Sequence, residues 1–318
     1  EKITKDIWIQ IESFANFAFS KGHSASYAVE SFQALYLKAY FPLEYMVATL
    51  NNGGGFYRVD LYLHEARMHG ATIMSPCVNK SELLCTIEGS TIYLGFVMIG
   101  ELETQASEII LSERKRNGPY KNLYDFIKRT SLGLEQIRQL IRIGAFNFTG
   151  KNKKELQWEA HSLINPVKKK NNGVELFDVK PRKYKLPPLF TSWIDDAFDE
   201  MEILGFTLTS PFKLLRNPHE IRSLTASQLK QHIGETVEIT GYLVTTKNTK
   251  TSKGEYMHFG TFLDKDGFWI DTVHFPPTAK AYPFKGRGCY LIKGKVTEEF
   301  DFTTIEVQEL HHMPMMNR

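Results

Sequence analysis

The stretch IYLGFVMIGELETQASEIILSERKRNGPY, residues 92–120, predicts a helical hairpin in the middle of the chain. It begins with an apolar run, passes through Gly100-Glu101-Leu102-Glu103 and continues as an amphipathic segment. Apolar residues at helical spacing on both sides of a short turn are typical of two helices joined by a tight hairpin. A second hairpin of this kind is expected at Ile143-Gly144-Ala145-Phe146.

The flanking sequence is also mostly helical. Residues 3–50 are expected to be helical, and Pro42 is placed to start a new helix there. Apolar and aromatic residues recur at helical spacing at Phe32, Leu35, Tyr36 and Tyr40. Residues 82–96 are expected to form a small β-hairpin that turns at Glu88-Gly89-Ser90. Short helices are predicted over residues 57–69, 96–99, 103–116, 122–129, 133–142, 152–163 and 192–206.

The hydrophobic pattern changes to a period of two after residue 226, which predicts strands. A tight turn is expected at residues 264–267, and a helical connector over residues 277–284 separates the third and fourth strands. Five short strands with a connector after the third match the OB-fold barrel. The strand candidates are ETVEITGYLVTT (235–246), EYMHFGTFLD (255–264), FWIDTVHF (268–275), CYLIKGKV (289–296) and TTIEVQEL (303–310).

The composition is that of a globular protein with more than one domain. Of 318 residues, 42% are hydrophobic and 24% charged, and no apolar run approaches the ~20 residues of a membrane span. The net charge of +3 is only a weak indication of a polyanionic partner. Cys77, Cys85 and Cys289 lack metal-site spacing and are expected to be free thiols. The start without an initiator Met predicts a longer parent protein.

FAFSKGHSASYAVESFQALYLKAYFPLEYMVATLNN, residues 17–52, resembles the end of the fingers domain of bacterial DNA polymerase III alpha subunits. The family pattern is approximately F-N-K-S-H-S-x-x-Y, then S-Y-Q, then L-K-x-x-Y-P-x-E-F-M. Ser20 replaces the Asn of this pattern, and Gly22 replaces its first Ser. The matching residues are Phe19, Lys21, His23, Ser24, Tyr27, Gln33, Leu37, Lys38, Pro42, Glu44 and Met46.

The resemblance continues along nearly all of the chain. Similar segments lie at residues 71–81, 114–130, 140–156 and 201–215. In the first of these Cys77 stands in place of an Asp, and the last lacks the Gly-His pair of the family. The degenerate first hairpin described below also fits an accessory, translesion-type member, and a chain cut at its C-terminus fits equally well.

Pattern and resemblance together predict a multidomain α + β protein, with a mostly helical N-terminal two-thirds containing tandem helix-hairpin-helix units, followed by a five-stranded OB-fold β-barrel. The expected divisions are the end of the fingers (1–75), the tandem hairpins that bind duplex DNA (76–165), a basic linker (166–190), a helical connector (191–225) and the OB-fold domain (226–318).

The resemblance implies the C-terminal DNA-binding and clamp-binding part of a cytoplasmic DNA-directed DNA polymerase. The catalytic carboxylates and their Mg²⁺ would lie in an upstream palm domain. No catalytic residue, cofactor or metal site is therefore expected in this chain, which is expected to be inactive alone. A dense group of carboxylates at Asp195, Asp196, Asp199, Glu200 and Glu202 is expected to be the solvated face of a helix.

Lys21 and His23 are the candidate nucleotide-phosphate residues of the fingers, because they lie at a Ser/Gly-rich helix start that favours anions. A helix junction packed closely through small residues is the alternative interpretation.

The first helical hairpin departs from the family pattern L-x-x-I-K-G-V-G. Gly100 replaces the Lys, and Glu101 and Glu103 replace the two glycines. Each carboxylate would repel a phosphate by on the order of 1 kcal/mol near a surface, so this turn is expected to have lost its phosphate contact. Duplex DNA is instead expected to contact the following cations, which are Arg114, Lys115 and Arg116.

The linker contains GVELFDV (173–179), which is similar to the family's sliding-clamp peptide Q-x-x-L-F. Leu176 and Phe177 are the expected anchors in the beta clamp, with Gly173 in place of the Gln.

The barrel is expected to bind single-stranded DNA through lysines and stacking aromatic rings. A bulge leaves open which side chains of the second and third strands, including Phe268 and Trp269, face the ligand. The lysines are placed in the loop after the first strand. The expected contacts are Lys247, Lys250, Lys253, Tyr256, His258 and His274.

Two other functions compete with this interpretation. One is a stand-alone module that binds nucleic acid or protein without a polymerase. The other is a metal-dependent or hydrolytic enzyme, which is disfavoured because the sequence has no ligand set or nucleophile triad. The expected partners are duplex and single-stranded DNA, the beta clamp and the rest of the polymerase chain, without a membrane.

Overall fold

The computed structural model of the protein describes residues 2–18, 21–164 and 186–317. The chain forms two compact units, one of Glu1–Met74 with Cys85–Tyr93 and one of Ser75–Leu84 with Leu94–Arg318. Most of the predicted linker, including the clamp peptide, lies outside the described residues.

In its described residues the first unit combines four helices with a small sheet. The helices are α1 (Lys2–Ala18), α2 (Lys21–Tyr40), α3 (Pro42–Asn51) and α4 (Val59–Met68). The strands are β1 (Thr72–Met74), β2 (Thr86–Glu88) and β3 (Thr91–Tyr93), in the order β1-β3-β2. The β-hairpin predicted at Gly89 is confirmed, and the segment after α4 adds to it as a parallel strand.

The described part of the second unit has five short helices before the barrel, whose predicted positions are confirmed to within one or two residues. They follow a 3₁₀ turn at Phe96–Met98 and are α5 (Thr104–Asn117), α6 (Leu123–Thr130), α7 (Leu134–Arg142), α8 (Lys153–Leu163) and α9 (Trp193–Leu204). We refer to residues 94–164 as the hairpin region.

The core of the hairpin region is built from the apolar stripes of these helices. Phe126 and Phe146 meet edge to face, with 4.9 Å between ring centroids. Tyr120 is buried beside them and donates its hydroxyl to the Ile110 carbonyl at 2.8 Å, and burial raises the pKa of Tyr120 to about 12. Ile203 of α9 is buried in the same core. The helix that follows the linker therefore packs onto the hairpin region.

The rest of the second unit is a closed barrel with strand order β4-β5-β6-β8-β7. Neighbouring strands are antiparallel except β6 and β8, which are parallel. This order, with a short helix α10 (Pro276–Ala281) after the third strand, is that of the OB-fold, so the predicted fold class is confirmed. The strands are β4 (Thr236–Lys250), β5 (Tyr256–Leu263), β6 (Trp269–His274), β7 (Cys289–Glu299) and β8 (Phe302–His312).

Two bulges bend the barrel, one between Leu243 and Thr245 and one between Lys293 and Gly294. A side chain at Gly294 would begin 2.3 Å from the Glu306 carbonyl oxygen, so only glycine fits the second bulge. Strand β4 is longer than predicted. Lys247 and Lys250 therefore lie on a strand and not in a loop, because the β4–β5 ladder continues to the pair Lys250–Tyr256.

Candidate nucleic-acid interface

The first helical hairpin uses its backbone N–H groups inside the protein. Glu101 adopts a left-handed conformation with φ 62°, at one of the positions where the family pattern has glycine. The Gly100 N–H donates to the Ile203 carbonyl at 2.8 Å, and the Glu103 N–H donates to Gln136 Oε1 at 3.0 Å. Two N–H groups that could bind a phosphate are thus already bonded. The loss of the phosphate contact therefore has two causes. One is the charge repulsion expected from the sequence, and the other is that these N–H groups are already bonded within the protein.

The backbone carbonyl and the side chain of Glu101 are held by α7 as well. Gln136 Nε2 donates to the Glu101 carbonyl at 3.3 Å, and Gln139 Nε2 donates to the Glu101 carboxylate at 3.4 Å. A Cβ on Gly100 would lie 3.0 Å from the Ile203 carbonyl oxygen. A lysine at position 100 would therefore press against α9.

The second hairpin also closes its own helix. Gly144 takes φ 84°, and the N–H groups of Gly144 and Ala145 bond to the Ile141 and Leu140 carbonyls at 3.0 and 2.9 Å. The Ala145 carbonyl accepts from the Val78 N–H at 3.1 Å. This geometry is a helix C-cap, for which glycine is the usual residue.

The three cations expected to contact duplex DNA differ in their surroundings. Arg114 points inward, donates to the Val78 and Ser81 carbonyls at 3.0 and 2.7 Å, and pairs with Glu82. Its guanidinium is occupied by the fold, so the expectation of a phosphate contact is not supported for Arg114. Lys115 and Arg116 are exposed at the end of α5, where Arg116 makes a loose pair with Glu113 at 3.2 Å.

In the fingers-like unit, Lys21 begins α2 and His23 lies two residues later. The His23 ring packs edge-on against Tyr27, with 4.3 Å between centroids. A role of these two residues in binding a triphosphate stays a prediction.

Several carboxylates of α9 are bound within the fold, which corrects part of the expectation of a solvated face, while Asp196 and Glu202 remain about half exposed. Asp199 is buried and accepts two bonds from Arg142 at 2.8 and 3.0 Å. Asp195 completes the capping box at the start of the helix, and Asp196 pairs with Lys153 at 2.6 Å. Glu200 accepts from the Thr207 hydroxyl and the Leu208 N–H, at 2.9 and 2.7 Å. These carboxylates hold α9 in place.

The long β4–β5 ribbon brings several expected single-strand contacts together. Lys250 Nζ lies 5.1 Å from the centroid of the Tyr256 ring, its partner across the ladder. On the same face His258 Nδ1 is 2.6 Å from Asn248 Oδ1. Lys253 lies in the turn between the strands. Exposed rings beside ammonium groups suit stacking bases and phosphates.

His274 cannot contact DNA, since it is fully buried in the barrel. Its Nε2 lies 2.9 Å from the Thr272 hydroxyl, which donates to the Gly260 carbonyl at 2.8 Å. Burial, assisted by the nearby His258, lowers the pKa of His274 to about 4. The expected DNA contact at this residue is therefore wrong, and His274 is a neutral core residue.

A face that the sequence did not resolve lies on the outside of β5 and β6. The residues of β6 alternate between buried and more exposed positions, and Phe262 of β5 and Ile270 of β6 pair inside the barrel. Phe259 and Trp269 point outward and remain 38% and 44% exposed. Lys247 is the ladder partner of Phe259, so it shares this outer face. Period-two alternation from the buried Phe262 could have assigned Phe259 outward.

Leu176 and Phe177 lie outside the described residues. Within the three described segments, no group of three or more His, Cys, Asp or Glu side chains is arranged to hold a metal ion. No described helix is both long enough and apolar enough to cross a membrane.

Taken together, tandem helical hairpins and an OB barrel with a basic, aromatic ribbon define a nucleic-acid-binding type of architecture. A family model described as "Helix-hairpin-helix motif" matches residues 70–156. The DNA polymerase III subunit alpha of Aquifex aeolicus is 31% identical over 286 residues, which are 87% of this chain and 23% of that protein. The expected resemblance to this family is thus confirmed.

Other relatives include a second DNA polymerase III subunit alpha and an error-prone DNA polymerase. The DNA polymerase III subunit alpha of Thermus aquaticus is 28% identical over 84% of this chain and 23% of its own length. The error-prone DNA polymerase of Bdellovibrio bacteriovorus is 29% identical over 84% of this chain and 27% of its own length. The chain thus spans about a quarter of the length of these relatives.

Solved structures similar to part of this chain include the SSB domain of a Synechococcus protein, with TM-score 0.22, 10% identity, and coverage of 24% of this chain and 93% of that one. The second OB-fold domain of replication protein A from Methanococcus maripaludis has TM-score 0.21, 14% identity, and coverage of 27% and 91%.

Proposed function

We propose that this chain is the DNA-binding part of a DNA polymerase related to the polymerase III alpha subunits. The hairpin region holds duplex DNA, with Lys115 and Arg116 on its phosphates, and the barrel holds single-stranded template. The observation that carries the proposal is the basic, aromatic β4–β5 ribbon on a closed OB barrel. Carboxylates and Mg²⁺ elsewhere in a longer cytoplasmic enzyme would catalyse nucleotidyl transfer.

The test compares two exposed aromatic residues of the same barrel. Tyr256→Ala removes the ring beside Lys250 on the β4–β5 ribbon, whereas Phe302→Ala removes a ring at the start of β8. Stacking on an aromatic ring contributes about 1–3 kcal/mol per base, so Tyr256→Ala should weaken binding of an oligo(dT) strand about five- to a hundredfold. Measured by fluorescence anisotropy, the affinity of Phe302→Ala for the same strand should stay within about twofold of that of the wild type. No binding by wild type, or equal losses, would overturn the proposal.

The linker peptide is proposed as the clamp-binding element, on its sequence alone. Leu176 and Phe177 would insert into an apolar pocket of the beta clamp. Replacing both with Ala should abolish clamp binding in calorimetry while the thermal unfolding curve stays unchanged. Equal clamp affinity of variant and wild type would remove this assignment.

The fingers-like unit is proposed to pack against the rest of the polymerase chain. Helix α2 exposes large apolar side chains on all its sides, as a helix does when its partners are missing. The exposed residues are Tyr27, Val29, Phe32, Leu35, Tyr36, Leu37 and Tyr40.

The fingers-like unit is also proposed to contribute His23 to the nucleotide site. In the full-length enzyme, His23→Ala should raise the KM for nucleotides. An unchanged KM would remove His23 from the nucleotide site.

A further inference from the structure

Helix α9 is fastened to the hairpin region at three separate points. The Ile203 carbonyl, one of the last of the helix, accepts the Gly100 N–H at 2.8 Å. Such terminal carbonyls have no partner within their own helix. Near the start of α9, Asp196 pairs with Lys153 of α8 at 2.6 Å. The turn of the first hairpin thus donates a backbone N–H group to α9, whereas a phosphate-binding turn would donate it to DNA.

The third point is a buried ion pair between α7 and α9. Arg142 and Asp199 are both largely shielded from water, and Nε and Nη2 of Arg142 reach the same carboxylate oxygen at 3.0 and 2.8 Å. Glu202 also pairs with the guanidinium. Hydrogen bonds to Glu202 and Asp199 raise the pKa of Arg142 although burial opposes them. Separating a buried pair leaves an uncompensated charge, so this contact resists opening.

On its other side α9 leads directly into the barrel. Gly205 ends the helix with φ 82°, and its carbonyl accepts from Arg287 Nη1, in the segment before β7, at 3.4 Å. The following chain lies against the C-terminal end, where the Arg216 N–H bonds to the Pro314 carbonyl at 3.0 Å and the Met316 N–H to the Leu214 carbonyl at 2.8 Å. One helix therefore contacts both DNA-binding parts of the proposed function.

We propose that the first hairpin and α9 form a brace that fixes the barrel on the hairpin region. Gly100, Arg142 and Lys153 are its positioning residues. The turn has exchanged a phosphate contact for a fixed spacing between the duplex and single-strand surfaces. This inference rests on the proposed function only for its effect on DNA. When the duplex is bound to the hairpin region, a fixed spacing makes binding of the single strand to the barrel an intramolecular step.

The structural arm of the test measures the spacing directly. Spin labels are placed at Glu108→Cys on α5 and Gln308→Cys on β8, both exposed sites, in a Cys77→Ser background. Wild type should give one narrow distance distribution. Gly100→Ala, whose Cβ would meet the Ile203 carbonyl at 3.0 Å, should broaden it, and Gly133→Ala, which has open space around its Cβ, should not. Lys153→Asp should also broaden it, and adding Asp196→Lys should restore it. A broad wild-type distribution, or no response to Gly100→Ala and Lys153→Asp, overturns the brace.

The DNA arm separates the brace from the proposed function. Wild type should bind a duplex with a single-stranded overhang about a hundredfold more tightly than either part alone. Lys153→Asp should lose about tenfold of that gain and keep its affinity for the separate parts. If wild type binds neither part, the proposed function fails and the spin labels alone judge the brace. If wild type binds both parts with no gain for the joined DNA, the brace is overturned.

Discussion

Glu101 carries a backbone cost that the family pattern avoids with glycine. An L-residue in the left-handed region loses roughly 1–2 kcal/mol through the clash of its Cβ with the backbone. The glycine of the family pattern fits this backbone, since glycine adopts the φ of 62° seen at Glu101 without a Cβ clash. The bonds of the turn to Ile203 and Gln136 could not be predicted, because those partners are distant in sequence.

Glu101→Gly should therefore stabilise the protein. Its free energy of unfolding should exceed that of Glu101→Ala by about 1 kcal/mol, because Ala keeps the Cβ that strains this backbone. Both variants lose the carboxylate contact with Gln139, so their comparison isolates the backbone. Urea unfolding measures the difference. A less stable Gly variant would mean that glycine's entropy cost exceeds the strain. Duplex affinity should not rise, since the N–H groups of Gly100 and Glu103 remain bonded.

His274 links the stability of the barrel to pH. Because the Thr272 hydroxyl donates to Gly260, it must accept from Nε2, which leaves the buried Nδ1 of His274 without a hydrogen-bond partner in the described structure. The folded pKa of about 4 lies below the unfolded value of about 6.5. The unfolded chain therefore binds more protons between these values, and the contribution to stability is lost as pH falls from about 6.5 to 4.

Between pH 7 and pH 5 this group should cost the protein roughly 2 kcal/mol of unfolding free energy. His274→Gln keeps a donor for Thr272 and does not titrate. Between pH 7 and pH 5 the unfolding free energy of this variant should therefore fall by roughly 2 kcal/mol less than that of the wild type. Denaturant unfolding at both pH values checks the difference. An equal fall in variant and wild type would place the His274 pKa near its ordinary value.

At the scale of elements, periodicity located the helices and strands of the described chain. It did not predict how far β4 extends, because the last pairs of a ladder depend on the partner strand. It also could not assign faces past the bulge at Leu243 and Thr245 of β4, since one extra residue reverses the alternation. β6 has no such bulge against β5, so alternation from the buried Ile270 would have placed His274 inside. The carboxylates of α9 were misjudged because their partners, Arg142 and Lys153, lie beyond the linker.

The packing of α9 on α7 should depend on Asp199 and little on Glu202. Asp199→Asn leaves the partly buried Arg142 guanidinium with only the exposed Glu202 as a charged partner, at a cost of up to about 3 kcal/mol. Glu202→Gln removes an exposed partner of the same guanidinium and should cost less than about 1 kcal/mol. Urea unfolding of the two variants compares these values. Equal losses would mean that Arg142 is effectively exposed to water.

For the whole molecule, the net charge is a poor guide to DNA binding, because the 39 basic and 36 acidic residues are unevenly distributed. The β4–β5 ribbon carries Lys247, Lys250 and Lys253. The β7–β8 hairpin instead carries Glu298, Glu299 and Asp301 near its turn. DNA should therefore approach the barrel along the β4–β5 ribbon and avoid the β7–β8 hairpin. Local charge, and not the total of +3, should set the salt dependence.

Salt dependence tests this with two variants of equal net charge. Three lysines on single-stranded DNA predict a slope of about −2 for log K against log salt. Lys250→Ala with Lys253→Ala should flatten it to about −0.7, since each released contact removes about 0.7. Lys230→Ala with Lys293→Ala removes the same charge elsewhere on the barrel, from lysines paired with Asp301 and Glu309. That control should keep the wild-type slope in anisotropy titrations at several salt concentrations. Equal flattening in both variants would mean that the chain attracts DNA through its total charge, and that the β4–β5 ribbon has no special part in binding.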